Sequence, residues 1–193
     1  MGLGISIDAS DCAISIPLLD QWNATIKHVQ FYLGANLNGI DVSSIRKVVR
    51  YFGHTFSYSF HAYGYLNPSE ENDLARNAWL NTGKESIDFL YDIGGRFVNF
   101  HIGNIVSSSI SRQSALLRAK ESIFILCEHG FSRQIDINIE NDFSSKEIVR
   151  LGDNLDDFRL FFQRRPMNLY MCYDIGHANI SFPSAYDYQE LFG

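Results

Sequence analysis

Four segments of the sequence end in side chains that bind metal ions in proteins. His61 closes SYSFH, His101 closes FVNFH and Glu140 closes IDINIE, while Asp174 and His177 lie close together in CYDIGH. Imidazoles and carboxylates together form a mixed nitrogen and oxygen donor set. That set suits Zn²⁺ or Mn²⁺, with Co²⁺ or Mg²⁺ as further candidates, better than Ca²⁺. A metal held there could polarise a carbonyl or lower the pKa of bound water to make a nucleophile.

Each of these residues also has a structural interpretation. A single histidine at a strand end is more often a hydrogen-bonded structural residue than a ligand. Glu140 alone could pair with an arginine, and Asp174 alone could cap a turn. Four such residues in consecutive units of the chain favour a shared metal instead. His28, His54 and His129 show no comparable pattern of carboxylate partners, so they are interpreted as structural.

Short β-rich runs alternate with amphipathic segments and must position these side chains. Strands are predicted over 4–8, 28–33, 55–61, 96–101, 135–140 and 169–174. Helices are predicted over 18–27, 42–52, 70–93, 111–129 and 155–164, with a polar loop over 143–154. Repeated βα units imply a parallel sheet covered by helices, either open and doubly wound or closed into a barrel.

The polar strand ends favour the barrel, because its carboxyl-terminal strand ends converge on one mouth. We therefore predict an α/β fold of the (β/α)8 TIM-barrel type with about six βα units, as a single domain over residues 1–193.

Composition narrows the class of protein. The chain has 193 residues, 46% of them hydrophobic and 20% charged, which is typical of one soluble globular domain. A net charge of −6 argues against a nucleic-acid partner. The odd number and wide separation of Cys12, Cys127 and Cys172 indicate reduced thiols in a cytoplasmic protein. No signal peptide or membrane-spanning run is predicted.

At these motifs the sequence resembles the xylose isomerase-like TIM barrel superfamily, which includes sugar isomerases, sugar-phosphate epimerases and abasic-site (AP) endonucleases of family 2. FHAYGYLNPSEEN, VNFHIGN, NIEND and CYDIGHANI resemble the ends of its third to sixth strands. The resemblance implies that His61, His101 and Glu140 hold one metal. It further implies that Glu140 and Asp174 contact a second metal and that His177 serves a third. Glu140 would also be an acid/base carboxylate.

Residues beside these ligands are candidates for substrate contacts. Tyr63 and Tyr65 could line a pocket, although aromatic residues in loops are as often packing. Asn67 and Asn141 belong to the segments that resemble the family at the third and fifth strands.

Three functions stay open. The first is a metal-dependent isomerase or epimerase of a sugar or sugar phosphate, in which Glu140 moves a proton next to a carbonyl. The second is a phosphodiesterase that acts at abasic DNA. Two features argue against it: the negative net charge of the chain, and the segment YLGANLNGIDVSS, which has no Arg or Trp to insert into a duplex. The third is a metal-binding or interaction protein without activity.

The family barrel has about eight strands, and the sequence lacks the seventh and eighth. The chain is therefore expected to be a fragment, to be completed by a partner chain or an oligomer, or to be a degenerate barrel.

Overall fold

The computed structural model describes residues 2–10, 12, 15–34, 42–62 and 67–181. In chain order its elements are β1 (Leu3–Asp8), α1 (Ile16–Trp22), β2 (Ile26–Tyr32), α2 (Val42–Phe52), a 3₁₀ turn (Gly53–Thr55), β3 (Ser57–His61), α3 (Asp73–Asp92), β4 (Phe97–His101), β5 (Asn104–Ile105), α4 (Arg112–Phe131), β6 (Asp136–Glu140), β7 (Val149–Arg150), α5 (Leu155–Phe161), β8 (Leu169–Cys172) and α6 (Ile175–Ser181).

Six of the strands form one parallel sheet in the order β1-β2-β3-β4-β6-β8, which follows their order in the chain. In a TIM barrel, neighbouring strands of the sheet follow one another in the chain. In a doubly wound sheet, the strand order reverses at one point. The predicted fold with about six βα units is therefore confirmed. Among the described strands, β1 and β8 each pair on one side only.

The two sides of the strands carry different residue types. One side is apolar and buried, with Phe31, Phe60, Val98, Phe100, Ile137 and Ile139. The other side is polar and lines a cavity, with His28, Gln30, Asn99 and Asn138. TIM-barrel interiors are usually packed with branched apolar residues. Here the side that lines the cavity carries polar residues instead.

Side-chain caps define where the helices begin. The Asn72 carboxamide oxygen accepts the backbone N–H of Leu74 at 2.9 Å, so α3 begins at Asp73, three residues after the predicted start. Ser111 caps α4 as its sequence position indicates, because its hydroxyl accepts the N–H of Ser114. These bonds satisfy N–H groups that lack partners within the helix.

The segment predicted as a plain polar loop over 143–154 contains the short strand β7. Its residues pair antiparallel with β5, which follows the end of β4. This second, two-stranded sheet lies outside the parallel sheet. It ties the connection after β6 to the connection after β4, close to the strand ends that carry the predicted ligands.

Candidate metal centre

The structure brings the predicted ligands together at one end of the sheet. His61, His101 and Glu140 are the last residues of β3, β4 and β6, and Asp174 and His177 follow β8. Donor atoms of His61, His101 and Glu140 lie within 4.8 Å of one another, and so do those of Glu140, Asp174 and His177. Because all the strands run parallel, their carboxyl ends share one edge, and the side chains converge there.

Glu140 belongs to both groups of donor atoms. Its Oε2 lies 3.3 Å from His61 Nε2, and its Oε1 lies 3.8 Å from His177 Nδ1. Burial raises the pKa of the Glu140 carboxyl, but the hydrogen bond from His61 and the charges of the surrounding imidazoles outweigh it, so the pKa is lowered. The carboxylate is therefore ionised at neutral pH and presents its two oxygens to different neighbours.

The hydrogen bonds of His61 test whether a cation fits this centre. His61 Nδ1 lies 3.0 Å from the carbonyl oxygen of Ala62, which can only accept, so Nδ1 carries the proton. In the neutral ring Nε2 then holds a lone pair that faces the ionised Glu140 carboxylate. Two lone pairs at this distance require a proton or a metal ion between them. Burial lowers the pKa of His61, but Glu140 outweighs it and raises that pKa. The donor set therefore fits a divalent ion.

His177 is fixed in the same way. Its Nδ1 lies 2.7 Å from the carbonyl oxygen of Asn141, and its backbone N–H donates to Asp174 Oδ1 at 2.7 Å. The Nδ1 proton is thereby committed to a carbonyl, which leaves Nε2 as the acceptor for an ion. A histidine whose second nitrogen donates to a backbone carbonyl is typical of metal ligands.

Asn141 holds the end of β8 against β6. Its Oδ1 accepts the backbone N–H of Asp174 at 2.6 Å, and its Nδ2 donates to the Asp174 carbonyl at 2.9 Å. The side chain is fully buried. Asn141 therefore sets the position of Asp174 and His177 through these bonds, and its predicted substrate contact stays a prediction.

Asn67 connects the segment before α3 to β5 through hydrogen bonds. Its Oδ1 accepts from the Asn104 backbone N–H and the Ser69 hydroxyl, and its Nδ2 donates to the Asn104 carbonyl at 2.8 Å. The other two predicted substrate residues, Tyr63 and Tyr65, lie outside the described residues.

Sequence reasoning missed Asp142 and Arg150. Asp142 Oδ2 lies 3.2 Å from His101 Nδ1 and 3.1 Å from Arg150 Nη1. The one available signal was the position of Asp142, two residues after Glu140 in NIEND. Arg150 lies in the segment predicted as a loop, and nothing in its spacing indicates this partner.

A cavity of about 770 Å³ opens beside these ligands. Besides the five candidate ligands it is lined by Gly4, Ile5, Ser6, His28, Gln30, Tyr32, Phe97, Asn99, Asn138, Met171, Cys172 and Tyr173. Amide, hydroxyl and imidazole groups on its walls can bind hydroxyl groups of a ligand. The cavity could therefore hold a small polar molecule, with one of its oxygen atoms directed at the candidate metal ligands.

Comparison with known proteins places the chain among proteins of this architecture. The family model described as "Xylose isomerase-like TIM barrel" matches residues 25–192. The chain belongs to this family. No curated protein sequence matches the chain at a significant level.

Solved structures share the fold of this xylose isomerase-like chain at low sequence identity. A D-tagatose 3-epimerase-like protein is 18% identical, with a TM-score of 0.75, and the match covers 93% of this chain and 67% of that one. An L-ribulose 3-epimerase is 14% identical, with a TM-score of 0.74, and the match covers 95% and 64%. A 3-keto-D-glucoside 4-epimerase from E. coli is 12% identical, with a TM-score of 0.78, and the match covers 98% and 74%. The chain spans 64% to 74% of the length of these three structures.

Within the described residues, no helix is long and apolar enough to cross a lipid bilayer.

Proposed function

We propose that this chain is a metal-dependent isomerase or epimerase that acts on a sugar or sugar phosphate by proton transfer next to a carbonyl. The observation that carries the proposal is the buried, ionised Glu140 carboxylate, which is surrounded by imidazoles at the mouth of a polar cavity. Likeness to several sugar epimerases in fold supports the choice of a sugar as substrate.

In this proposal His61, His101, Glu140, Asp174 and His177 would hold a divalent metal ion. A metal there would supply Lewis-acid chemistry, which acidifies a C–H bond next to a carbonyl. We expect Zn²⁺ or Mn²⁺, since imidazole donors suit these ions better than Mg²⁺.

Glu140 moves the proton. Its lowered pKa keeps it ionised, so it can accept the proton of the carbon next to the carbonyl. A carboxylate has two oxygens, so Glu140 could bind an ion through one of them and accept the proton on the other. Return of the proton to the adjacent carbon, together with transfer of the hydroxyl proton from one substrate oxygen to the other, would isomerise the sugar. Epimerisation would need a proton from solvent on the opposite face of the same carbon, while Glu140 keeps the proton it removed and releases it to solvent. The amides of Gln30, Asn99 and Asn138 face the same cavity, where they can bind substrate hydroxyls.

Exchange of substrate hydrogen with solvent tests this proposal. The metal-loaded chain is incubated in D₂O with a panel of ketoses, aldoses and their phosphates, and deuterium next to the carbonyl is measured by NMR. We expect exchange that a chelator abolishes and that Glu140→Gln reduces by about 10²–10⁴-fold. Glu121→Gln, an exposed glutamate on α4, is the matched control. A metal-loaded chain that exchanges no member of the panel contradicts the proposal.

One observation favours a second candidate function, hydrolysis of phosphodiesters at abasic DNA. Glu140 belongs to two groups of donor atoms, one with His61 and His101 and one with Asp174 and His177, so it could contact two neighbouring ions. Pairs of metal ions are typical of phosphoryl transfer. Incision of a duplex that contains one abasic site tests it. Bound metal with neither exchange nor incision would instead identify an inactive barrel.

The predicted partner chain or oligomer stays a prediction. The free pairing edges of β1 and β8 in the described sheet support it, because unpaired strand edges require cover. Light scattering of the purified chain measures its oligomeric state.

A further inference from the structure

Next to His101 lies a buried carboxylate that the proposed chemistry does not use. The Asp142 side chain is only 3% exposed, and its Oδ2 lies 3.2 Å from His101 Nδ1. Its other oxygen, Oδ1, accepts the backbone N–H of Phe143 at 2.8 Å. Asp142 is therefore a buried carboxyl group that its own backbone neighbour holds next to one nitrogen of His101.

Arg150 holds this carboxylate in place. Its Nη1 lies 3.1 Å from Asp142 Oδ2. The residue is anchored by its backbone, because its N–H donates to the Ser144 hydroxyl at 2.9 Å and its carbonyl accepts from Arg112 at 3.1 Å. β7, which contains Arg150, is further tied to β5 by strand pairing. The backbone of Arg150 is therefore held in place while its guanidinium contacts Asp142. The Arg150 side chain is 33% exposed.

We infer that Asp142, held by Arg150, positions His101 as a metal ligand. The inference rests on the proposed metal centre and adds to it two residues that belong to neither group of candidate ligands. The negative charge beside Nδ1 favours the tautomer with the proton on Nδ1. The lone pair then resides on Nε2, the other ring nitrogen, and the ring donates that lone pair more strongly to a metal ion.

The geometry distinguishes this contact from an ordinary structural bond. His101 Nδ1 is buried and makes no hydrogen bond with the described residues, while Asp142 Oδ2 faces it at 3.2 Å. A bond that only stabilised the fold would gain most from close alignment. Here the imidazole instead keeps a position within 4.8 Å of the donors of His61 and Glu140.

A second His–Asp–Arg cluster supplies a matched control. His129 Nε2 lies 2.8 Å from Asp88 Oδ1, and Arg133 contacts the same oxygen. This cluster joins α3 to α4, and Asp88 is 48% exposed. It has the chemistry of the Asp142 cluster but includes none of the candidate ligands.

Metal affinity tests the inference without any assay of activity. Zn²⁺ affinity is measured by competition with a chromophoric chelator for the unsubstituted chain, for Asp142→Asn and for Asp88→Asn. We expect Asp142→Asn to bind about 10–100-fold more weakly and Asp88→Asn to bind unchanged. Equal affinity in Asp142→Asn and the unsubstituted chain overturns the inference and leaves the metal centre intact. An unsubstituted chain that binds no metal overturns both.

The tautomer of His101 gives a second readout, which loss of stability alone would not change. Long-range ¹⁵N–¹H correlation spectra are recorded for the chelator-treated chain, and His101 is assigned with His101→Gln. We expect a proton on Nδ1 in the unsubstituted chain and a mixture of tautomers in Asp142→Asn. If Asp142→Asn does not fold, Arg150→Lys takes its place, because it keeps the positive charge but lacks the planar guanidinium group. An unchanged tautomer and unchanged affinity in Arg150→Lys would then overturn the inference.

Discussion

His61 Nε2 faces Glu140 Oε2 across 3.3 Å, and both side chains are largely buried, at 13% and 7% exposure. Since Nδ1 of the same ring lies against a carbonyl oxygen, the facing nitrogen has no proton of its own in the neutral state. The pair is stable only with a positive charge between its members. Either a proton or a metal ion can provide that charge, and each leads to a different measurable behaviour.

Without metal, the stability of the chain should fall as the His61 proton is lost. The pKa of His61 in the fold is raised above the ordinary value of 6.5, so its contribution is fully present below pH 6.5. That contribution disappears as pH rises through the higher pKa of the folded state. Urea unfolding in the presence of a chelator, at pH values from about 6 to 8, should show a decline that is smaller in His61→Gln. The same slope in both proteins would contradict this prediction.

Below that range the carboxylates control the pH dependence. The pKa values of Glu140 and Asp142 are lowered from 4.5 and 3.8, so their contributions are present above these values. They are lost as pH falls through the lower pKa values of the folded state. Acid unfolding of Glu140→Gln should therefore begin with a smaller slope than that of the unsubstituted chain. The measurement is the free energy of unfolding in urea at successive acid pH values.

Metal should stabilise the chain strongly, because the folded donor set binds the ion and the unfolded chain does not hold it in place. At a free Zn²⁺ concentration of 100 times Kd the expected gain is about 2.7 kcal/mol. Differential scanning fluorimetry measures the accompanying rise in Tm. His101→Gln should lose most of this rise, while His54→Gln, in the 3₁₀ turn before β3, should keep it. A rise of equal size in both variants would contradict the proposed ligands.

Asn141→Ala should weaken both the fold and the metal centre. The substitution removes two hydrogen bonds to the partly buried backbone of Asp174, whose N–H loses the bond to Asn141 while its carbonyl keeps only the bond from the Ala178 N–H. We expect a loss of about 1–3 kcal/mol in the free energy of unfolding. Because Asp174 and His177 would lose their fixed position, Zn²⁺ affinity should fall as well. Asn23→Ala, at the end of α1, is a control that should change neither quantity.

The ligands could be predicted from sequence because each lies at the end of a recognisable strand. His61, His101 and Glu140 end β3, β4 and β6, and strand periodicity together with residue type is enough to place them at one edge. α2 was predicted with its observed bounds, since its apolar spacing leaves no competing register. Asp174 was assigned to a strand but follows β8, which ends at Cys172. Parallel pairing with β6 stops there, because β6 itself ends at Glu140.

The supporting contacts could not be predicted, because each joins segments that are distant in the chain. Arg150 meets Asp142 only because β7 pairs with β5, and two-residue strands have no detectable periodicity. Asn67 and Asn141 were recognised as important by their positions. Their partners are backbone groups of other loops, and a carboxamide has no sequence signal for its acceptor.

Arg112 supports the segment before α5. Arg112 contacts Asp153, Asp157 and the Arg150 carbonyl, and the Asp157 side chain is only 4% exposed. Arg112→Met leaves the Asp157 carboxylate buried without its charged partner. We expect a loss of about 3–5 kcal/mol in the free energy of unfolding.

Arg159→Met is the matched control, because the Arg159–Asp156 pair has the same chemistry at the surface, with exposures of 57% and 86%. Its loss should be about 0–1 kcal/mol. Urea unfolding compares the two variants. Since the Arg150 carbonyl is one of the contacts of Arg112, the folded Arg112→Met chain should also bind Zn²⁺ more weakly than the Arg159→Met chain. Equal losses of stability in the two variants would show that burial of Asp157 does not determine the strength of this contact.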